Sequence, residues 1–325
     1  MLNLDAEQIV QSLSMQGLIE SMRQTYQHHA TIPQRRVMPL KEGEYDAFAL
    51  LPAWNDSLIT VKAFTYFPNN CLQGRDSLAS KILAFDRSHG EPLALLDGKV
   101  LTYWRTAGAS ALAADYLARK DAETLLICGT GNLAPYMAWA YAAIRPIKKV
   151  LVWGRNNQKA QAAVDKILSG SEYQLLAESC RYHVEAVSGV DEHLAEVDAI
   201  TCVTGAAQPL FDGTKLLPGT HIDLIGNHDK DKRECDSASI QRSSVFVDSR
   251  VNVLAEAGEL LIPIANGEFG EEAINAELTD LCAGKHIGRT DDSEITLYKS
   301  VGSALADLAA VRFVLDQQDT QSFMG

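Results

Sequence analysis

The sequence predicts an α/β chain in which a mostly β first domain precedes a doubly wound parallel sheet with helices on both faces. Three observations predict it. Strand-like runs separated by turn residues fill the N-terminal part. From Thr124 onward, short apolar runs alternate with helical stretches. The first of those later runs ends in a glycine-rich turn that opens a helix. At 325 residues and 46% hydrophobic content, the chain can bury a sizeable core and is long enough for two domains.

The segment from Asp5 to His29 reads as helical, because Ile9, Leu13, Leu18, Ile19 and Met22 recur at helical spacing, with one break at Gly17. Ile32 to Leu40 carries Pro33, Arg35, Arg36 and Pro39 and is expected as an extended edge or loop. Runs of β-forming residues follow at Ala47 to Trp54, Leu58 to Phe67, Ser80 to Asp86 and Pro92 to Asp97. Gly98-Lys99 then reads as a hairpin turn before Val100-Leu101-Thr102. From Thr106 to Ala118 the residues are small helix formers, and Arg119-Lys120-Asp121 marks a domain boundary. The tail from Ser300 to Asp316 is a helix with apolar Leu305, Leu308, Val311 and Val314, expected to return to the first domain. The expected division is 1–117 with 300–325 against 118–299.

The second domain opens with Thr124-Leu125-Leu126-Ile127-Cys128, apolar on both faces as a parallel strand under helices should be. Gly129-Thr130-Gly131-Asn132-Leu133-Ala134 follows, a G-x-G-x-x-A turn. Gly129 permits the sharp turn, Gly131 keeps a Cβ away from a pyrophosphate, and Ala134 allows close helix–strand packing. The helix from Leu133 to Ile144 would turn its free N–H groups and positive dipole end to the phosphates. A second strand, Lys149 to Trp153, closes on Gly154-Arg155-Asn156-Asn157. Strand, turn, helix and strand together predict a dinucleotide site. A carboxylate at the end of the second strand would accept from a ribose 2′-hydroxyl, whereas a 2′-phosphate needs a cation. The chain offers Arg155 and no acid until Asp165, so NADP(H) is the expected cofactor, with NAD(H) possible. A helix at Gln158 to Leu168 and strands at Tyr182 to Val187, Ala199 to Thr204, Gly219 to Gly226 and Val245 to Asp248 continue the alternation.

A formal charge of −13 argues against nucleic acid or an anionic membrane as partner. No N-terminal run has a signal-peptide layout and no apolar run is long enough to span a bilayer, so a cytoplasmic protein is expected. The six cysteines form no C-x-x-C pair and are expected as buried, reduced thiols. The eight histidines show no ligand spacing, and no metal site is expected.

An anionic ligand must therefore meet local cations, and in the first domain Arg35, Lys62 and Arg105 lie beside turns or strands rather than on helix surfaces. Lys62 sits inside the apolar run Ile59 to Phe67, where alternation puts it on the face of Phe64 and Tyr66. It is either an exposed edge charge or a partly buried ammonium that needs a carboxylate from the protein or from a substrate.

Nearly the whole chain resembles the ornithine cyclodeaminase and μ-crystallin family. The stretches that carry the resemblance are Val61-Lys62 with Phe67-Pro68-Asn69-Asn70, Pro92 to Gly98, and Arg105-Thr106-Ala107-Gly108-Ala109-Ser110-Ala111. Gly129 to Ala134, Gly226 with Arg233-Glu234 and Asp236, and Thr296 to Gly302 complete it. The resemblance implies a Rossmann-type domain joined to a mostly β domain that binds substrate and builds a homodimer. It implies that Arg35, Lys62 and Arg105 gather a substrate carboxylate, with Arg105 as a bidentate clamp, and that Ser77 lies near the substrate. It further implies that Gly129, Thr130, Gly131, Asn132 and Leu133 meet the pyrophosphate and that Arg155, with Asn156, meets the 2′-phosphate. Thr106, Val203, Thr204, Gly226, Ser300 and Gly302 would lie near the cofactor.

True ornithine cyclodeaminases carry an Asp shortly after the glycine that matches Gly226. Ungapped, His228 stands at that point, and a one-residue shift supplies Asp229. A histidine there suits an imine reductase, because it can move a proton near neutral pH. The expected activity is NADPH-preferring reduction of cyclic ketimino acids, Δ1-pyrroline-2-carboxylate or Δ1-piperideine-2-carboxylate, to L-proline or L-pipecolate, with Lys62 and His228 or Asp229 nearest the chemistry. The alternatives are ornithine cyclodeamination, an alanine dehydrogenase-like reaction, and a non-catalytic ligand-binding protein.

Overall fold

The computed structural model describes residues 1–42 and 45–324. It divides into two units, Met1–Thr106 with Ser303–Gly325, and Ala107–Gly302.

The first unit is a six-stranded sheet with helices on one face. Its strands are β1 (Leu2–Leu4), β2 (Arg36–Pro39), β3 (Ala47–Trp54), β4 (Leu58–Tyr66), β5 (Leu78–Asp86) and β6 (Pro92–Asp97), in the order β1-β6-β5-β4-β3-β2. All pairings are antiparallel except β1 with β6. The N-terminal helical segment is two helices, α1 (Ala6–Ser12) and α2 (Met15–Gln27). The break lies at Leu13-Ser14 and not at Gly17, because the Ser14 hydroxyl accepts from the Gly17 N–H at 3.3 Å and starts a new helix. Gly17 serves packing instead: a Cβ there would stand 2.7 Å from Cζ of Phe313 on the C-terminal helix (Ala304–Met324). That helix lies on α2 and on β3 and β4.

Alternation along β3 buries Ala47, Ala49, Leu51 and Ala53, and along β4 it buries Leu58, Thr60 and Lys62. Lys62 is therefore no edge charge; it pairs in register with Leu51 on one side and Ile82 on the other and is 5% exposed. The opposite face carries Phe48, Leu50, Val61, Leu83 and Leu95, all half-buried.

Gly98-Lys99 is not a hairpin turn but the start of helix α3 (Gly98–Leu117). The Asp97 carboxylate accepts from the N–H groups of Lys99 and Val100, both at 3.1 Å, and so caps the helix. Glycine is needed because a Cβ at 98 would lie 2.6 Å from the Ser80 hydroxyl oxygen. The division between units falls inside α3, after Thr106, rather than at residue 117. Arg119-Lys120-Asp121 lies in the turn that follows α3.

The second unit is an eight-stranded, wholly parallel sheet. Its strands are β7 (Thr124–Cys128), β8 (Lys149–Trp153), β9 (His183–Val187), β10 (Ala199–Cys202), β11 (His221–Leu224), β12 (Ser244–Val247), β13 (Ile274–Glu277) and β14 (Thr296–Lys299). The order β13-β12-β14-β11-β10-β7-β8-β9 reverses direction between β7 and β10, the switch point where ligands of such sheets bind. Helices α4 (Ala134–Ile144) and α5 (Asn157–Ser169) fall where the periodicity puts them. Strands β13 and β14 are legible only in the structure, being short and carrying Asn275, Glu277 and Lys299. Cys128, Cys202, Cys235 and Cys282 are buried thiols, whereas Cys180, in a short turn before β9, is exposed, against the expectation. The Cys71 side chain lies outside the described residues. Among the described residues no helix is long and apolar enough to cross a membrane.

Candidate active site

In the second unit, β7 runs into the glycine turn. Gly129 has φ +135°, and a Cβ there would come within 2.8 Å of Val203 Cγ2 and 2.9 Å of its carbonyl oxygen, so only glycine fits. A Cβ at Gly131 would meet nothing within 4 Å, which leaves that backbone facing open space. Ala134, fully buried, opens α4; its N–H donates to the Gly131 carbonyl at 3.3 Å and Pro135 after it carries none, so the helix start offers fewer N–H groups to a phosphate than the sequence suggests. The end of β8 lies against the turn: a Cβ at Gly154 would sit 2.4 Å from Thr130 Cγ2. Arg155 follows directly and is exposed. The Asn156 side chain is occupied as a cap, its Oδ1 accepting from the Lys159 N–H at 3.0 Å. These residues fit a dinucleotide.

The loops after β10 and β11 are tied together by one carboxylate. Glu234 accepts from the N–H and hydroxyl of Thr204 at 2.7 and 2.8 Å and from the Gly226 N–H at 2.9 Å. Gly226 has no room for a side chain, since a Cβ would lie 2.0 Å from the Thr204 nitrogen. Behind Glu234, Lys299 Nζ stands 3.0 Å from Glu259 Oε2, both fully buried, and donates to the Asn227 carbonyl at 2.7 Å. Burial, with Glu259 adding to it and Lys299 opposing it, pushes the Glu234 carboxyl up to about 7. Asp248 organises the end of β14 likewise. It accepts from the Ser300 hydroxyl at 2.7 Å and from the N–H groups of Val301 and Gly302 at 3.0 and 2.8 Å, and burial pushes its carboxyl up.

His228 and Asp229 sit on the loop held by this network. His228 is exposed. Asp229 shapes the loop: it lies 2.8 Å from Lys232 and accepts from the Asp231 N–H at 3.0 Å. Those bonds hold its carboxyl below the ordinary range, Lys232 contributing most, which makes it a poor proton donor.

The first unit brings two of its three expected cations, Lys62 and Arg105, together on a fourth residue. Lys62 Nζ lies 2.8 Å from Asp307 Oδ2 and donates to Oδ1 at 3.1 Å, and Arg105 Nε lies 2.9 Å from Oδ1. Lys62, Arg105 and Asp307 are all buried, and Arg35, half-buried, is close enough to act on Lys62 electrostatically. Burial chiefly, then Arg105, lowers the Lys62 ammonium to about 8, with Asp307 opposing them. Ser77 is half-buried just before β5, where its carbonyl accepts from the Phe67 N–H at 2.7 Å. Thr106, half-buried on α3, follows Arg105. Among the described residues no cluster of His, Cys, Asp or Glu is placed to hold a metal ion.

Sequence reasoning missed Asp307 and the Glu234–Glu259–Lys299 network. Asp307 reads as one more acid in a helix's first turn, and a signal for it would have been a demand that buried Lys62 have a carboxylate partner.

Residues 2–322 match the model of the ornithine cyclodeaminase/mu-crystallin family. The chain is 45% identical to a Δ1-pyrroline-2-carboxylate reductase of Colwellia psychrerythraea, over 97% of this chain and 98% of that one. It is 34% identical to one from Paracoccus denitrificans, over 93% and 92% of the two chains. It superposes on the structure of Thermococcus litoralis Δ1-pyrroline-2-carboxylate reductase in complex with NADH and L-proline with a TM-score of 0.90, at 30% identity, over 99% of this chain and 98% of that chain.

Proposed function

The chain belongs to the ornithine cyclodeaminase/mu-crystallin family, and from that premise we propose that it is an NADPH-preferring reductase of cyclic ketimino acids. It reduces Δ1-pyrroline-2-carboxylate to L-proline and Δ1-piperideine-2-carboxylate to L-pipecolate. The observation that carries this reading is the buried cluster of the first unit, where Arg105 and Lys62 share a single protein carboxylate, Asp307. Cations in surplus, held away from water, suit one further carboxylate far better than they suit each other. The named activity of relatives that match almost end to end supports the same substrate class.

When bound, the nicotinamide cofactor supplies the hydride that the imine carbon accepts. The glycine turn would hold its pyrophosphate, and Arg155 would meet the 2′-phosphate. Arg105, with Lys62 and Arg35, fixes the substrate carboxylate and so orients the neighbouring C=N bond. One proton must reach the ring nitrogen as the carbon is reduced. Lys62, lowered to about 8, can release one near neutral pH, and His228 is the second donor of suitable chemistry. Two copies associate through the half-exposed sheet face of Phe48, Leu50, Val61, Leu83 and Leu95.

The test is loss of NADPH absorbance with each imine, repeated with NADH, and with ornithine and pyruvate plus ammonia as controls. Turnover of an imine is expected; its absence with both imines overturns the reading. Arg155→Ala should raise the KM for NADPH about tenfold and leave that for NADH unchanged. Equal effects on the two would remove the 2′-phosphate assignment.

A further inference from the structure

Asp307 stands in the first turn of the C-terminal helix, where the positive helix end favours an anion, and is 1% exposed. It is shared by two cations on different elements: Lys62 on β4 reaches both of its oxygens, and Arg105 on α3 lies against Oδ1. The approach to Arg105 is through Nε at 2.9 Å, on the inner side of the guanidinium. Among the described residues, no hydrogen bond or ion pair engages the two Nη groups. That outer edge, the pair of parallel N–H groups that grips a carboxylate end-on, is therefore not committed to the protein. Without an anion between them, Lys62 and Arg105 would repel at close range in a buried setting.

We propose that Asp307 is a positioning residue of the substrate site: it fixes Lys62 beside Arg105 and turns the Nη edge of Arg105 toward the carboxylate of an α-imino or α-amino acid. The assignment rests on the reductase reading above. One protein carboxylate shared by Lys62 and Arg105 leaves the Nη edge of Arg105 for a monocarboxylate, and Asp307 acts on it only through these two cations. The charged groups around Lys62 are Asp307 from the C-terminal helix, Arg105 from α3 and Arg35 before β2, while β3 and β5 face it with Leu51 and Ile82. Of these groups only Asp307 supports the charged ammonium, so its loss should lower the pH at which Lys62 gives up its proton.

The full-length chain is titrated calorimetrically with pyrrole-2-carboxylate, a non-reducible analogue of the five-membered imine, beside steady-state reduction of Δ1-pyrroline-2-carboxylate. For Asp307→Asn, KM should rise about tenfold with kcat within about threefold, and analogue affinity should fall by a like factor. The pH above which analogue binding weakens should move from about 8 to lower values. Asp307→Glu, which keeps the charge, should hold that pH in place with affinity between wild type and Asn. A merely structural role would not move the pH break. KM and analogue affinity within about twofold of wild type, with the break unmoved, overturn the proposal. Should Asp307→Asn not fold, Asp307→Glu decides: affinity lowered about threefold supports it, and wild-type affinity overturns it. Wild type that binds the analogue but reduces no imine ends the reductase reading alone, and the calorimetric arm still judges Asp307. Wild type that binds no analogue ends both.

Discussion

Each unit buries one lysine in an ionic group, and the two groups are opposite in sign. Around Lys62 the cations outnumber the carboxylate, and the lysine is the group that yields, its ammonium lowered to about 8. Around Lys299 the carboxylates outnumber the cation, and Glu234 yields, its carboxyl raised to about 7. The second group spends its hydrogen bonds inward, on Thr204, Gly226 and the Asn227 carbonyl, and so fixes loops. The first leaves the outer edge of a guanidinium uncommitted among the described residues. Buried charge thus closes on itself in one group, and in the other a cation keeps donors that the described protein residues do not use.

Substitutions should separate the two groups. Arg105→Ala should lower kcat/KM for the imine by about 10² to 10³-fold while Asp307, still paired with Lys62, keeps the unit folded; assays read against thermal midpoints check both halves. Lys299→Met should do the reverse, because it leaves Glu259 and Glu234 buried without their cation. A loss of about 3–5 kcal/mol in denaturant unfolding is expected, with activity falling only as far as folded protein does. A comparison of this kind fails if Arg105→Ala unfolds the chain or Lys299→Met leaves it fully stable.

The smallest effect is in pH dependence, where the two groups should act in different windows. Glu234 binds a proton more tightly folded, at about 7, than at its ordinary 4.5, so its contribution to stability falls as pH rises between those values. Lys62 holds its proton less tightly folded, at about 8, than at its ordinary 10.5, so its contribution rises as pH climbs from 8 to 10.5. Urea midpoints across pH should lose the first slope in Glu234→Gln and the second in Lys62→Met. Unchanged slopes in both would show that the proton affinities are set elsewhere.

The amino-acid order alone determined much of this protein. Alternation located β3, β4 and β6, apolar runs located β7, β8 and β11, and the glycine turn located the start of α4, since these depend on residues near one another in the chain. Arg35, Lys62 and Arg105 were also legible, as cations out of place in an acidic chain. Other features depend on approach from afar. Gly98 opens a helix because it meets Ser80, and Gly17 stays within one because it meets Phe313. Asp307 reaches Lys62 across 245 positions of sequence. Whether a charge is buried, and which partner neutralises it, is set by such long-range packing. Tertiary structure therefore decided which lysine shares its carboxylate with a second cation and which is enclosed by carboxylates.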